Sequence, residues 1–474
     1  MTEIKYPPKH DSTHERSASG RPLSHNWLSV IAIIWSGQAF SMITSYAAGF
    51  AAVWYVTETT GSPWMLSLLT ICAYLPQGLL SPFGGVLADK FNRRNLMIVA
   101  DLGVGVISLF LGFAILVGQA SFELIMVMVI ARSASQAFHG PAMMAAMPML
   151  VPERHLMRIN TLDQLLMSIC SIGAPAFGIL LYSTLGFHSV MFLDFGGAVI
   201  AVAALFLVKI PTVHDKSSDG QHVFKNLADG FSALSSKSGL LTLIFAIVIG
   251  MMAFGPISAF FPLMTLSHFN GDGWMASVVE AVFGIGMIIG SGILMAWGGG
   301  KRLARLISIA AIATGIITAA CGFLSPHMFV VFVLLSALMA VTCSWFNAPM
   351  ITLIQRNIDE EKMGRAMGFT TALIGVASPI GIAIGGIVAE GITVEPFSLL
   401  SIHFDGLSIA GTGILPIFIA SGVIMILIGV FSLMRKSIRT LDKETTTTVA
   451  SEDQKKLDGN APHVAEKPFS TEHF

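Results

Sequence analysis

The chain has 474 residues, of which 54% are hydrophobic and 12% charged, with a net charge of -1 and a mean hydropathy of +0.75. A soluble domain cannot hide that much apolar surface, so the composition excludes a water-soluble globular protein and implies a polytopic membrane protein. The summed charge says little beyond that; its arrangement matters, and no nucleic-acid partner is expected.

Residues 1–26 are polar, with scattered charges, and are expected to be a disordered N-terminus. No short apolar region with a cleavage site precedes the first span, so no cleaved signal peptide is expected. Apolar runs long enough to cross about 30 Å of hydrocarbon then recur. They predict twelve helices at 27–56, 62–87, 95–117, 122–147, 161–184, 189–208, 239–266, 273–297, 303–324, 328–350, 366–389 and 412–434. The fold class is an all-α membrane protein.

Lysine and arginine test that count. One set of connections holds the N-terminus, 88–94, 148–160, 209–238, 298–302, 351–365 and the C-terminus. The alternate set holds 57–61, 118–121, 185–188, 267–272, 325–327 and 390–411. Of 27 Lys and Arg, the alternate set holds none; Arg132 lies inside the fourth span and the other 26 belong to the first set or its bordering helix ends. The positive-inside rule then predicts that both termini are cytoplasmic.

The loop 209–238 divides six spans from six, and a bundle is expected on each side, over 27–208 and 239–437. Within the loop, Phe224, Leu227, Phe231 and Leu234 recur at helical spacing. They predict either an amphipathic helix on the membrane surface or a short helix packed on neighbouring loops. The two halves echo each other: "GAPAFG" in the fifth span against "SPIGIAIGG" in the eleventh, and "VPERHLMRIN" against "NIDEEKMGRAMG" after spans four and ten. Repeats of this kind place a site at the midplane between halves. Residues 438–474 are polar and are expected to be a disordered tail. Cys72, Cys170, Cys321 and Cys343 each lie in an apolar run without metal-ligand spacing, so no metal site or disulfide is expected. No Walker loop, metal cluster or nucleophile motif appears, and neither an enzyme nor a cofactor is expected.

The tightest cluster of charge sits in "GGVLADKFNRRNLMIVAD", residues 84–101. A short turn here joins two antiparallel helices. Asp89 ends a helix, where a carboxylate opposes the helix dipole and needs another partner. Asn92 is expected to take the left-handed turn conformation.

Five ionisable groups fall inside spans: Asp101, Arg132, Asp163, Asp194 and Glu280. Such groups are costly in lipid and are functional candidates. Arg132, Gln136 and His139 share one face of span four. Glu280 lies about two turns into span eight, in the dry setting a proton carrier requires. Asp194 is read either as a second carrier or as a structural partner of Arg132. Asp101 and Asp163 are expected to join a network with Arg93, Arg94 and Arg158. Span five carries Gly173, Pro175 and Gly178, which argue for a kink and close packing. For ligand contacts the expected residues are Gln38, Ser45, Tyr46, Gln136, Phe254, Phe261, Trp345 and Asn347, in a cavity suited to an amphiphile.

"GVLADKFNRRNLM" resembles the cytoplasmic signature of the major facilitator superfamily, through Gly85, Leu87, Ala88, Asp89, Lys90, Arg93 and Arg94. Further stretches, "WSGQAFSMITS", "YVTETTGSPWMLSL", "RSASQAFHGPA" and "LVPERHL", are similar to the Mef-type macrolide-efflux branch of its drug:proton antiporters. The resemblance implies two pseudo-symmetric six-helix bundles and a gate at Gly85, Asp89, Arg93, Arg94 and Asp101. It also implies proton coupling through Glu280, Asp194 and Arg132, and an antiporter-like kink at Gly173, Pro175 and Gly178. The implied function is export of amphiphilic drugs in exchange for protons, by a monomer in a bacterial inner membrane. A siderophore or lysophospholipid as cargo, or a non-transporting sensor or scaffold, are the alternatives.

Overall fold

The computed structural model describes residues 27–208, 223–237, 239–297, 302–358, 360–394, 414–438 and 440–441. Among these residues the chain is helical throughout. The helices are α1 (Trp27–Thr60), α2 (Pro63–Lys90), α3 (Arg93–Leu116), α4 (Phe122–Leu150), α5 (Glu153–Leu185) and α6 (Phe187–Leu207). After α7 (Val223–Ser235) come α8 (Leu240–Ala259), α9 (Phe261–Ser267), α10 (Gly273–Trp297), α11 (Leu303–Cys321), α12 (Phe329–Asn357), α13 (Glu360–Val394) and α14 (Ile414–Met434).

These elements realise the twelve expected spans, with three physical amendments. The seventh span is two helices, because Pro262 cannot donate to the ladder and the chain breaks at Phe260. Spans five and eleven start earlier, at Glu153 and Glu360, since the polar residues expected in loops are good helix formers that extend past the apolar zone. Asn92 is not left-handed: its backbone is extended, and its side chain caps α3 by accepting from Arg94 N at 3.0 Å. Among the described residues, eleven helices are long and apolar enough to cross a membrane. The fourth span, α4, is long enough but carries Arg132, Ser133, Ser135, Gln136 and His139, which lower its hydropathy.

Packing repeats between the halves. In the first, α1 pairs with α5 and α6, α3 with α4 and α6, and α2 with α4. In the second, α8 pairs with α13 and α14, α11 with α12 and α14, and α10 with α12. This is one pattern used twice, six spans apart, so the molecule is two pseudo-symmetric bundles. They meet along two seams, α2 against α13 and α5 against α10.

Glycine sets the closest crossings. On α5, a Cβ built on Gly178 would sit 2.5 Å from the Ala47 carbonyl oxygen of α1; on α13, Gly381 lies as tightly against the Met252 carbonyl of α8. These are equivalent places in the two halves, each shortly after a proline, Pro175 or Pro379. On the α2–α13 seam, Gly78 faces Gly375 with no side chain between them.

Lys and Arg gather at one end, called the basic end here; the other is the far end. At the basic end, α7 packs on α13. Asp229 pairs with Arg365 at 3.0 Å, and Phe231 meets Phe369 edge-on at 5.8 Å. The side chains of Phe224 and Leu227, also expected on its apolar face, lie outside the described residues.

Candidate functional site

A cavity of about 1680 Å³ lies between the bundles. The first bundle lines it with Ser45, Tyr46, Phe50, Thr70, Tyr74, Gln77, Arg132, Gln136 and Pro175, among others. The second contributes Ser258, Pro262, Glu280, Gly375, Pro379 and Ile382. The lining continues along α13 to Arg365, Met367 and Phe369 at the basic end. Toward the far end, Gly273 packs on Trp54 and Ile179, and Glu390 of α13 accepts a hydrogen bond from Ser62 at 2.9 Å. The cavity therefore reaches the basic end and is shut at the far end.

The polar centre of the first bundle is built on Arg132. Its guanidinium pairs with Asp194, donates to Ser108 Oγ at 2.7 Å and reaches the Ser45 carbonyl at 3.2 Å. Asp194 accepts from Ser45 Oγ at 2.7 Å and from Ser108 Oγ at 2.5 Å. Its side chain is 0% exposed, against 18% for Arg132, so the carboxylate sits behind the cation and the cation faces the cavity. Four helices, α1, α3, α4 and α6, supply this knot. Of the two readings of Asp194, the geometry provides the pairing with Arg132.

Two turns along α4 from Arg132, His139 stands 3.5 Å from Asp101, which also accepts from Gln38 at 2.9 Å. Asp163 accepts from Trp35 Nε1 at 2.8 Å. Among the described residues neither carboxylate meets Arg93 or Arg94: helix packing brings them to α1 and α4 instead. Arg94 donates to the carbonyls of Leu205 and Phe206 at 2.7 and 3.0 Å, where a cation satisfies the last carbonyls of α6. Arg93 reaches Met149 Sδ at 2.5 Å. The surroundings of Gly85 and the side chains of Asp89, Arg158 and Asn347 lie outside what the structure describes.

Glu280 faces the cavity from the opposite wall, across from the Arg132 knot's bundle. No hydrogen bond or ion pair engages its carboxylate among the described residues. One turn on, Gly284 lies against Ser171 and Ile172 of α5, so Glu280 stands at the α5–α10 seam.

Of the expected ligand contacts, Ser45, Tyr46 and Gln136 line the cavity. Gln38 does not; its amide is committed to Asp101. Phe261 is 1% exposed, in a core of rings with Phe283, Phe332 and Phe418, and Phe254 stacks on Phe283. Trp345 donates to the Gly290 carbonyl at 3.0 Å, inside the second bundle. In the kink motif, Pro175 lines the cavity and Gly178 holds the crossing with α1, while nothing approaches within 4 Å of a Cβ at Gly173. The helix stays continuous through all three.

Sequence reasoning missed Tyr74, Ser108 and Glu390. The signal for Tyr74 was present, since Thr70, Tyr74, Gln77 and Ser81 form a polar stripe at helical spacing. Ser108 lies seven residues after Asp101, on the same face of α3. Glu390 carried no signal, because it was assigned to a loop.

Comparison with known proteins agrees with this architecture. The family model of the Major Facilitator Superfamily matches residues 34–381. Macrolide efflux protein A of Streptococcus pyogenes is 32% identical over 378 residues, covering 80% of this chain and 93% of that protein. The putative bacilysin exporter BacE of Bacillus subtilis is 26% identical, over 73% of this chain and 85% of its own. Among solved structures, an inward-facing, unoccupied bacterial homologue of the human lysosomal transporter Spinster covers 90% of this chain and 98% of its own, with a TM-score of 0.66 at 13% identity. The nucleoside transporter NupG covers 86% of this chain and 98% of its own, with a TM-score of 0.58 at 14% identity. The chain belongs to the major facilitator superfamily. It is a multi-pass membrane transporter of small substrates, and not an enzyme.

Proposed function

We propose that this transporter exports amphiphilic, macrolide-like molecules in exchange for protons, by alternating access across a bacterial inner membrane. The observation that carries the reading is the cavity itself. Its wall is mostly apolar, with Tyr46, Phe50 and Tyr74 in it, Glu280 stands in it without a partner among the described residues, and the facing Arg132 already has its countercharge. An amphiphile finds apolar surface there, and a proton finds Glu280.

In this reading Glu280 is the proton carrier. Arg132 and Asp194 respond to it from the opposite wall, because the charge on Glu280 changes the field the guanidinium feels across the cavity. Gly85, Asp89, Arg93, Arg94 and Asp101 form the gate region at the basic end. Gly173, Pro175 and Gly178 shape the helix that carries the α5–α10 seam. Residues 27–208 and 239–437 move as the two halves, joined by the linker 209–238. The distribution of Lys and Arg supports a cytoplasmic basic end, with both termini there, and the working unit is a monomer.

The test is accumulation of a labelled fourteen-membered-ring macrolide in efflux-deficient bacteria, with and without a protonophore. Expected is low accumulation that rises with the protonophore and matches empty cells in Glu280→Gln. Protonophore-sensitive export that survives Glu280→Gln would shift the carrier to Asp194. Accumulation equal to empty cells, with protein present in the membrane, would remove macrolides and favour another amphiphile such as a siderophore or a lysophospholipid.

A further inference from the structure

The far end of the cavity is shut by a contact that no residue of the polar site supplies. Ser62 caps α2: its Oγ accepts from Met65 N at 3.2 Å and donates to Glu390 Oε2 at 2.9 Å. Trp64 N lies 3.5 Å from the same oxygen. Glu390 belongs to α13, so a carboxylate of the second bundle sits at the N-terminus of a helix of the first. Free N–H groups and the helix dipole favour a negative charge there.

Packing closes the seam beneath. Leu66 of α2 is fully buried in a core otherwise made of second-bundle residues, including Phe261 and Ala389. Gly386, one turn before Glu390, leaves room for Ser67. The pairing runs antiparallel, from Ser62 with Glu390 to Gly78 with Gly375, and the seal lies at the first turns of α2 and the last turns of α13.

A transporter whose cavity reaches one end must open the other to complete its cycle. Each of these contacts joins the two bundles, so opening the far end breaks them. We propose that Ser62 and Glu390 form a latch that holds the far end shut, and that its release is a step of the transport cycle. The latch requires no particular substrate and no proton, so it stands or falls separately from the exchange reading.

The test is pulsed electron spin resonance on protein in lipid nanodiscs, with the four native cysteines replaced by serine. One label pair goes on Gln119 and His327, exposed at the far end; another goes on Phe91 and Lys436, exposed at the basic end. Glu390→Ala and Ser62→Ala should each raise the far-end-open population about tenfold, the shift expected from losing one charged hydrogen bond. The basic-end distance should shorten in step. Ser62→Thr keeps the hydroxyl and should leave both distances as in the unsubstituted protein. An unchanged far-end distance in both alanine variants would overturn the proposal. So would broadening at both ends without a reciprocal shift, which reports a loosened fold and not a released latch.

Discussion

Arg132 on α4 and Asp194 on α6 form an ion pair in which the acid is sealed from solvent and the base is not. Both carboxylate oxygens are occupied, by Ser45 on one side and by Ser108 and Arg132 on the other. Removing the cation leaves the sealed carboxylate without a countercharge. Arg132→Met should therefore lose about 3–5 kcal/mol of stability. The double variant Arg132→Met, Asp194→Leu should recover most of that loss in thermal unfolding, yet export nothing. Recovery of export along with stability would mark the pair as structural only.

Gly173 and Gly178 stand five residues apart on α5 and should respond in opposite ways. A side chain at Gly178 strikes the Ala47 carbonyl, while one at Gly173 meets open space. Gly178→Leu should cost about 1–3 kcal/mol, because two backbones must separate. Gly173→Ala should be neutral or stabilising by up to about 1 kcal/mol, since alanine is the better helix former. Unfolding of both variants in detergent, side by side, decides this.

Phe261 and Tyr74 separate packing from recognition. Phe261→Ala empties a ring cluster in the far-end core of the second bundle and should cost about 3–5 kcal/mol. Tyr74 faces the cavity, so Tyr74→Ala should change stability by less than about 0.5 kcal/mol while altering which amphiphiles are exported. Paired unfolding and drug-susceptibility measurements check both halves of the statement.

His268 should give the far end a mild pH dependence. Burial lowers its pKa from 6.5, and the bond to the Leu324 carbonyl at 2.8 Å opposes this only in part. The folded state then binds its proton at lower pH than the unfolded state does. Its contribution is complete above the unfolded pKa and is lost as pH falls through the lowered folded value. His268→Gln should flatten the decline in stability from about pH 7 downward, through the window that begins at the histidine's ordinary pKa. Thermal unfolding across that range, with and without the substitution, measures it.

The spans were legible because an apolar run long enough to cross hydrocarbon has few other uses, and because Lys and Arg mark alternate connections. Helix rotation was much less legible. In a soluble helix the polar face points outward, but here lipid and protein interior are equally apolar. Phe261 and Phe254 read as cavity residues for that reason, but Phe261 lies in the core and Phe254 packs half-buried against it. Rotation could be read where a polar stripe broke the uniformity: Arg132 and Gln136 face the cavity together. Gln38 shows the limit of that signal, since a polar group on the right helix can be consumed by a neighbour such as Asp101. Pairings across the fold, Asp163 with Trp35 or Ser62 with Glu390, depend on which helices touch, and only the packed structure fixes that.

The bare crossing of Gly78 and Gly375 has a mechanical consequence. Two helices that meet with no side chain between them can rock about that point as a lever about its fulcrum. Ser62 lies sixteen residues from Gly78, an arm of about 24 Å at the rise of an α-helix. A tilt of roughly 20° about the fulcrum would swing the Ser62 end by about 8 Å, wide enough for a small molecule, on that same helical geometry. A bulky residue at position 78 would displace the pivot, and the same tilt would then open a different width at each end.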